Sequence, residues 1–140
     1  MRYLLDTSVL ISFLRGRLSD ERFTRPRGGR VLYASIISHG ELARGAYRAR
    51  SDADRELRLT QFTSLLLGKL DGVLPVTSQI ADAYGQVAAG LDAIGQPLPV
   101  NDIWIAATAL VHDLILVSED RHFARVPGLK VENWAEGPQV

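Results

Sequence analysis

Four acidic residues stand where their carboxylates could gather around a metal ion. Asp6 and Asp120 each follow a short apolar run, Glu41 lies near the start of a predicted helix, and Asp102 begins an apolar helical segment. Carboxylates within about 4–6 Å of one another repel, and a hard divalent cation removes that repulsion. Such a cation lowers the pKa of a coordinated water and neutralises charge on a phosphoryl group. The four acids therefore predict a site for phosphodiester hydrolysis.

The kinds of metal ligand that the sequence offers favour Mg²⁺ or Mn²⁺ at this site. The chain has no cysteine, so a thiolate metal site and a disulfide framework are both excluded. Its histidines, His39, His112 and His122, lack the spacing of a zinc-binding set. His39 and His122 each lie near a candidate acid in sequence, but we expect single histidines of this kind to be surface or capping residues. Oxygen-only ligands select magnesium or manganese over zinc.

Each acid also has a purely structural explanation. Asp6 could cap the helix that follows it. Ser38 and Glu41 have the spacing of a capping box, in which the serine begins a helix and the glutamate closes its first turn. Asp102 and Asp120 stand near predicted helix starts, where the helix dipole favours a negative charge. The sequence leaves both explanations open for all four residues.

Short apolar strands alternate with helices along the chain. This alternation predicts an α/β fold with a central parallel sheet of four to five short strands flanked by helices. Because ligands bind beyond the carboxyl ends of such strands, Asp6, Glu41 and Asp120 are expected at one edge of the sheet. A loop is predicted at 25–30, where proline and glycine cluster. The predicted strands lie near 3–5, 31–34, 73–76, 114–117 and 130–132, and the predicted helices near 7–14, 38–50, 54–67, 78–93, 101–111 and 119–124.

The length of 140 residues fits one domain spanning 1–140. No secretory signal or membrane-length apolar stretch is recognisable, and the lack of cysteine is compatible with the expected cytoplasmic location. Residues 1–50 carry ten arginines and four acids, so the net charge of zero divides into +6 there and −6 in the rest. This asymmetry fits a polyanionic substrate, although a general preference for arginine explains it equally well.

Four segments of the chain, in order, resemble the conserved motifs of PIN domains. In that family the first acid is followed by threonine or serine and then by a small polar residue, and the second motif ends in Glu-Leu. The third motif is an aspartate followed by an Ile-Ala-Ala helix, and the fourth is usually Thr-x-Asp-x-x-Phe. The matching segments are LLDTSVLI at 4–11, SIISHGEL at 35–42, NDIWIAA at 101–107 and LVSEDRHF at 116–123.

The size of the chain resembles the PIN-domain toxins of the VapC type. The resemblance implies a Mg²⁺- or Mn²⁺-dependent ribonuclease, homodimeric and silenced by a cognate VapB-like antitoxin. It implies that the four acids are catalytic residues and metal ligands, with Ser8 and Ser118 as supporting or substrate-contacting groups. Arg44 is expected to contact RNA phosphates. Glu119 stands where the family often has asparagine, and Asp120 is preferred over it as the fourth acid.

Two other functions fit the sequence less well. An aspartate after the first parallel strand is the nucleophile of some phosphatases, but those enzymes usually have a second aspartate two residues later, where this chain has Ser8. A catalytically inactive, protein-binding PIN module would use the acids only as helix caps and would not be stabilised by metal.

Overall fold

A computed structural model describes residues 1–18 and 28–135. Residues 25–27 of the predicted loop and the predicted domain end at residue 140 therefore lie outside the described residues. Within the described chain, five parallel strands form one sheet in the order β3-β2-β1-β4-β5, flanked by helices. The strands are β1 (Arg2–Leu5), β2 (Val31–Ser35), β3 (Gly72–Leu74), β4 (Ile115–Val117) and β5 (Val131–Glu132), and the helices are α1 (Thr7–Leu14), α2 (Ile36–Tyr47), α3 (Asp52–Thr63), α4 (Ser78–Ala93) and α5 (Val100–Val111).

Strand pairing brings distant segments together at the carboxyl edge of the sheet. The central strand β1 pairs with β2 on one side and with β4 on the other, and Leu5 lies opposite Val117. The backbone N–H of Asp6 extends this pairing by donating to the carbonyl of Val117 at 2.9 Å. Asp6 and Ser118, the next residue along β4, therefore end up side by side at this edge.

Both faces of the sheet are covered by apolar side chains, as the short apolar strands predict. Tyr3 and Leu5 point into one core, which α1, α2 and α3 complete, whereas Leu4 points into a second core that includes α5. The residues that follow the strands therefore extend from a tightly packed framework. Across residues 1–18 and 28–135, no helix is both long enough and apolar enough to span a membrane.

Helix α2 begins earlier than the predicted start at Ser38. Ser35 already has extended backbone angles at the end of β2, and its side chain accepts a hydrogen bond from the N–H of Ile37. The helix therefore follows the strand without a loop, and Ser35 is its cap. Glu41 lies in the second turn of this helix, so the predicted capping box of Ser38 and Glu41 is wrong.

Two other predicted helices differ in form. The α-helix predicted near 54–67 ends at Thr63 and continues as a π-helical segment, Ser64–Lys69. The apolar spacing of this segment predicts one buried stripe of Leu57, Phe62, Leu65 and Leu66, but Leu57 is 56% exposed and only the other three are buried. The short helix predicted near 119–124 is a 3-10 helix, Arg121–Arg125.

The fold predicts a large difference between two leucine substitutions. Leu116 in β4 is fully buried, and Leu116→Ala is expected to lower the free energy of unfolding by about 2–5 kcal/mol. Leu57→Ala on the exposed side of α3 should change it by less than about 0.5 kcal/mol. Urea denaturation of both variants measures the difference, and equal losses would contradict the placement of β4 in the core.

Candidate functional site

The carboxylate of Asp6 is buried and receives several hydrogen bonds. Asp6 as a whole residue is only 5% exposed to solvent. Oδ1 accepts from the backbone N–H of Thr7 at 2.8 Å, which makes Asp6 the cap of α1. Oδ2 accepts from the hydroxyls of Ser8 at 2.9 Å and Ser118 at 2.8 Å. The two serines named from the sequence therefore hold one oxygen of Asp6.

The environment of Asp6 opposes its negative charge. Burial raises the pKa of Asp6 above its ordinary value, and the nearby Asp102 carboxylate raises it further. Hydrogen bonds from Ser118, Ser8 and the Thr7 backbone act in the opposite direction without cancelling the rise. A cation near this carboxylate would relieve the cost of its charge.

Glu41 is linked to Asp6 through a single residue. The Thr7 hydroxyl donates to Oε1 of Glu41 at 2.9 Å, while the Thr7 backbone N–H donates to Asp6. The Thr7 hydroxyl also lies 2.7 Å from the hydroxyl of Ser38, which is fully buried. Because the one hydroxyl proton of Thr7 goes to Glu41, Ser38 is the donor in that contact. Thr7 thus fixes Glu41 of α2 beside the start of α1.

Asp102 and Asp120 meet at the ring of His122. Asp102 lies in the first turn of α5 and Asp120 caps the 3-10 helix that follows β4. Nε2 of His122 lies 2.9 Å from Oδ2 of Asp102, and Nδ1 lies 2.8 Å from Oδ1 of Asp120. Possible ligand atoms of these three residues all fall within 4.8 Å of one another. The structure therefore brings two of the predicted acids together around a histidine.

Opposing influences act on Asp102. Burial raises its pKa above the ordinary value, and the charge of Asp120 raises it as well. The hydrogen bond and the charge of His122 lower it but leave the net shift upward. Asp6, Asp102 and Asp120 thus form a chain of mutually repelling carboxylates, since Asp102 acts on Asp6 and Asp120 acts on Asp102.

The adjacent acid Glu119 points elsewhere. It is exposed, and its carboxylate accepts a hydrogen bond from Ser12 of α1 at 3.4 Å. Asp120 is the one of the two that lies beside Asp102 and His122. The preference for Asp120 as the fourth acid agrees with this geometry.

Arg44 lies on the exposed side of α2, one turn after Glu41. It lines a small surface cavity together with Glu41 and Asn101, the neighbour of Asp102. The Arg44 guanidinium therefore borders the acids, and the hydrogen bonds described above between the acids and their neighbours do not involve it.

Sequence reasoning missed three side chains of this site: Thr7, Ser38 and His122. Thr7 was named only as part of the first motif and Ser38 only as a helix cap, although each carries a hydroxyl close in sequence to a motif acid. The expectation that His122 is a surface or capping residue is wrong, because its ring is mostly buried between two acids. Its position two residues after Asp120 was the available signal.

The donor chemistry of the site fits a divalent metal ion. Ligand atoms of Asp102 and Asp120 lie within 4.8 Å of each other, and Asp6 is near enough for the Asp102 charge to act on it. Burial keeps the carboxylates of Asp6 and Asp102 partly away from water. Glu41 adds a fourth carboxylate at the same edge. Hard divalent cations prefer oxygen ligands of this kind.

The raised pKa of Asp6 predicts how stability depends on pH in the metal-free protein. Because the folded pKa lies above the unfolded one, the stability that Asp6 contributes at low pH is lost as the pH rises through the folded pKa. Asp6→Asn, which mimics the neutral acid, should therefore unfold at a higher temperature than the wild type at neutral pH in EDTA. Each unit of pKa elevation corresponds to about 1.4 kcal/mol.

Thermal unfolding across a pH series measures this effect. The difference in unfolding temperature between Asp6→Asn and the wild type should narrow as the pH falls toward the usual range of aspartate pKa values. Asp82→Asn, at an exposed acid of α4, is the control and should show no such gap. An Asp6→Asn variant less stable than the wild type at every pH would refute the prediction.

Comparisons with known proteins identify the family that this chain matches. The model of the PIN domain family matches residues 3–129. Ribonuclease VapC4 of Mycobacterium tuberculosis is 29% identical over 93% of this chain and 95% of its own length. Ribonuclease VapC1 of Haemophilus influenzae is 30% identical over 97% of this chain and its own full length.

A solved structure extends the likeness to three dimensions. The crystal structure of DNA-bound VapBC from Salmonella typhimurium superimposes with a TM-score of 0.81 at 29% identity, covering 96% of this chain and 98% of that one. The family match spans residues 3–129, and the sequence and fold similarities both cover nearly the whole chain. The chain belongs to the PIN-domain family, as a VapC-type ribonuclease.

Proposed function

We propose that this protein is a divalent-metal-dependent endoribonuclease, the toxin of a toxin–antitoxin pair, and that Asp6, Glu41, Asp102 and Asp120 form its active site. The observation that carries the proposal is the meeting of these acids at the carboxyl edge of the sheet. The carboxylates of Asp6, Asp102 and Asp120 influence one another electrostatically, and Thr7 links Glu41 to Asp6.

The four acids would hold Mg²⁺ or Mn²⁺, with some of them acting through water, because Mg²⁺ usually retains several of its waters. When bound, the ion supplies charge neutralisation at the phosphate and lowers the pKa of a water molecule. PIN nucleases in general use a divalent metal, and the choice between magnesium and manganese is part of the proposal.

The chain's own groups would orient the reaction. Ser8 and Ser118 hold Oδ2 of Asp6, and Thr7 holds Oε1 of Glu41, so both carboxylates are fixed before RNA arrives. Preorganised groups of this kind need no reorientation in the transition state. One carboxylate accepts a proton from the attacking water as its oxygen bonds to phosphorus. The ester bond opposite then breaks, and the leaving oxygen takes up a proton.

Arg44 would contact the RNA backbone. Its guanidinium stands on the exposed surface of α2 beside the cavity that Glu41 and Asn101 line. Arginine donates two parallel hydrogen bonds to a phosphate, which suits it for this contact. Arg48, one turn further along the helix and also exposed, could extend the contact to a flanking phosphate.

A VapB-like antitoxin is the proposed protein partner. A groove bordered by Glu41 runs between α1, α2 and α3, with Leu14, Leu42 and Phe62 among its apolar walls and Arg15 and Arg58 among its polar ones. A peptide with apolar side chains and an acidic or polar end would fit it and reach the acids. The resemblance to VapC-type toxins also implies a homodimer, and we propose that it acts in the cytoplasm.

The phosphatase alternative fits the geometry less well. The position where such phosphatases have a second aspartate is occupied by Ser8, whose hydroxyl donates to Asp6.

Asp102→Asn tests the proposed reaction. The substitution keeps the shape of the side chain but removes a ligand charge, so RNA cleavage should fall at least about 100-fold and stabilisation by Mn²⁺ should disappear. Cleavage of labelled RNA and thermal unfolding with and without Mn²⁺ measure the two effects. Asp82→Asn, on an exposed face of α4, should behave like the wild type. A folded Asp102→Asn protein that cleaves RNA at the wild-type rate would disprove the assignment.

Arg44→Gln tests the proposed phosphate contact. Removing one charge that meets a phosphate should weaken RNA binding and reduce the slope of log affinity against log salt by about one. Binding to RNA can be measured with the inactive Asp102→Asn protein as background. Arg2→Gln is the matched control, since Arg2 begins β1 at the opposite edge of the sheet. Equal salt slopes in the Asp102→Asn background and in its Arg44→Gln and Arg2→Gln derivatives would mean that the RNA phosphates do not contact Arg44.

A further inference from the structure

The ring of His122 connects two carboxylates that come from different parts of the fold. Asp102 belongs to the first turn of α5, and Asp120 follows β4. The ring lies 2.9 Å from Oδ2 of Asp102 through Nε2 and 2.8 Å from Oδ1 of Asp120 through Nδ1. The His122 side chain is 20% exposed, compared with 45% for Asp120. The histidine thus sits between the acids, where it can set the distance that separates them.

Each acid keeps one oxygen for another partner. Among residues 1–18 and 28–135, the hydrogen bonds to these carboxylates reach Oδ2 of Asp102 and Oδ1 of Asp120. The second oxygen of each accepts none from that part of the chain. Carboxylates that bind a metal are commonly held by a hydrogen bond on the side away from the ion, and this contact fixes their orientation. The pattern around His122 has this form.

The position of His122 is itself well fixed. Its backbone N–H donates to Oδ1 of Asp120 at 3.0 Å, which closes the first turn of the 3-10 helix. Its ring packs against Phe123 with a centroid distance of 5.0 Å, and Phe123 is fully buried in the second core. Because the ring is anchored on the core, it restricts the movement of both carboxylates that it contacts.

We propose that His122 is a positioning residue of the metal site, which holds Asp102 and Asp120 so that their remaining oxygens face one shared divalent cation. Nε2 is hydrogen-bonded to Asp102 and Nδ1 is in close contact with Asp120, so both ring nitrogens face carboxylate oxygens and neither is open for direct coordination. The proposal rests on the proposed function, because it presumes that these two acids bind the metal.

Manganese binding to the whole metal-free protein tests this role directly. Free Mn²⁺ can be counted by electron paramagnetic resonance during a titration, and Mg²⁺ affinity follows from competition. Loss of a residue that orients metal ligands typically weakens metal binding about 10- to 100-fold. His122→Phe should therefore weaken Mn²⁺ and Mg²⁺ binding by a similar factor in this range. His122→Gln, which keeps an N–H donor, should recover part of the affinity.

Controls separate this effect from a general loss of structure. His112→Phe changes a histidine at the opposite end of α5 and should bind Mn²⁺ like the wild type. Circular dichroism and thermal unfolding establish that each variant is folded, and His122→Asn replaces the phenylalanine variant if that one is not.

Two results would overturn the positioning role. Wild-type affinity for both metals in a folded His122→Phe protein would show that the acids need no such link. A loss confined to Mn²⁺, with Mg²⁺ binding unchanged, would mean that His122 coordinates the ion as a nitrogen ligand. Either result leaves the proposed function intact if the wild type binds metal and cleaves RNA. A wild type that does neither would refute the proposed function itself, and this inference with it.

Discussion

The charge of one buried carboxylate governs the architecture of this site. Asp6 ends the central strand at 5% exposure, where loss of hydration disfavours its ionised form. Three donors from the chain, the Thr7 backbone and the hydroxyls of Ser8 and Ser118, offset part of that cost. The approach of Asp102 adds to it. A compensating cation would relieve both the loss of hydration and the repulsion between the acids, and the proposed chemistry depends on the same cation.

The parallel sheet is what forces these groups together. Pairing of β1 with β4 places Asp6 beside Ser118, and the pairing of β1 with β2 brings the start of α2, and hence Glu41, to the same edge. Asp102 arrives on α5, whose other side chains are largely buried in the second core. Packing on both faces of the sheet thus supplies the free energy that holds repelling charges in place. The general rule that ligands bind beyond the carboxyl ends of parallel strands has this physical basis here.

Much of this could be predicted from the sequence, because the signals are local. Short apolar runs gave the strands and their parallel arrangement, and the acids stood directly after them. The contact of Thr7 with Glu41 and that of His122 with Asp102 could not be predicted, since each joins segments far apart in the chain. Helix α2 was given the wrong start because Ser35 and Ser38 are both plausible caps, and only the end of β2 decides between them.

The central claim is that the four acids hold a divalent cation at this edge of the sheet. Crystals soaked in Mn²⁺ test it most directly, because manganese gives an anomalous diffraction signal that locates the ion without assumptions about activity. We expect an anomalous peak among the carboxylates of Asp6, Asp102 and Asp120, within reach of Glu41 directly or through water. A fully soaked crystal without a peak there, or with its principal peak at another site, would contradict the account.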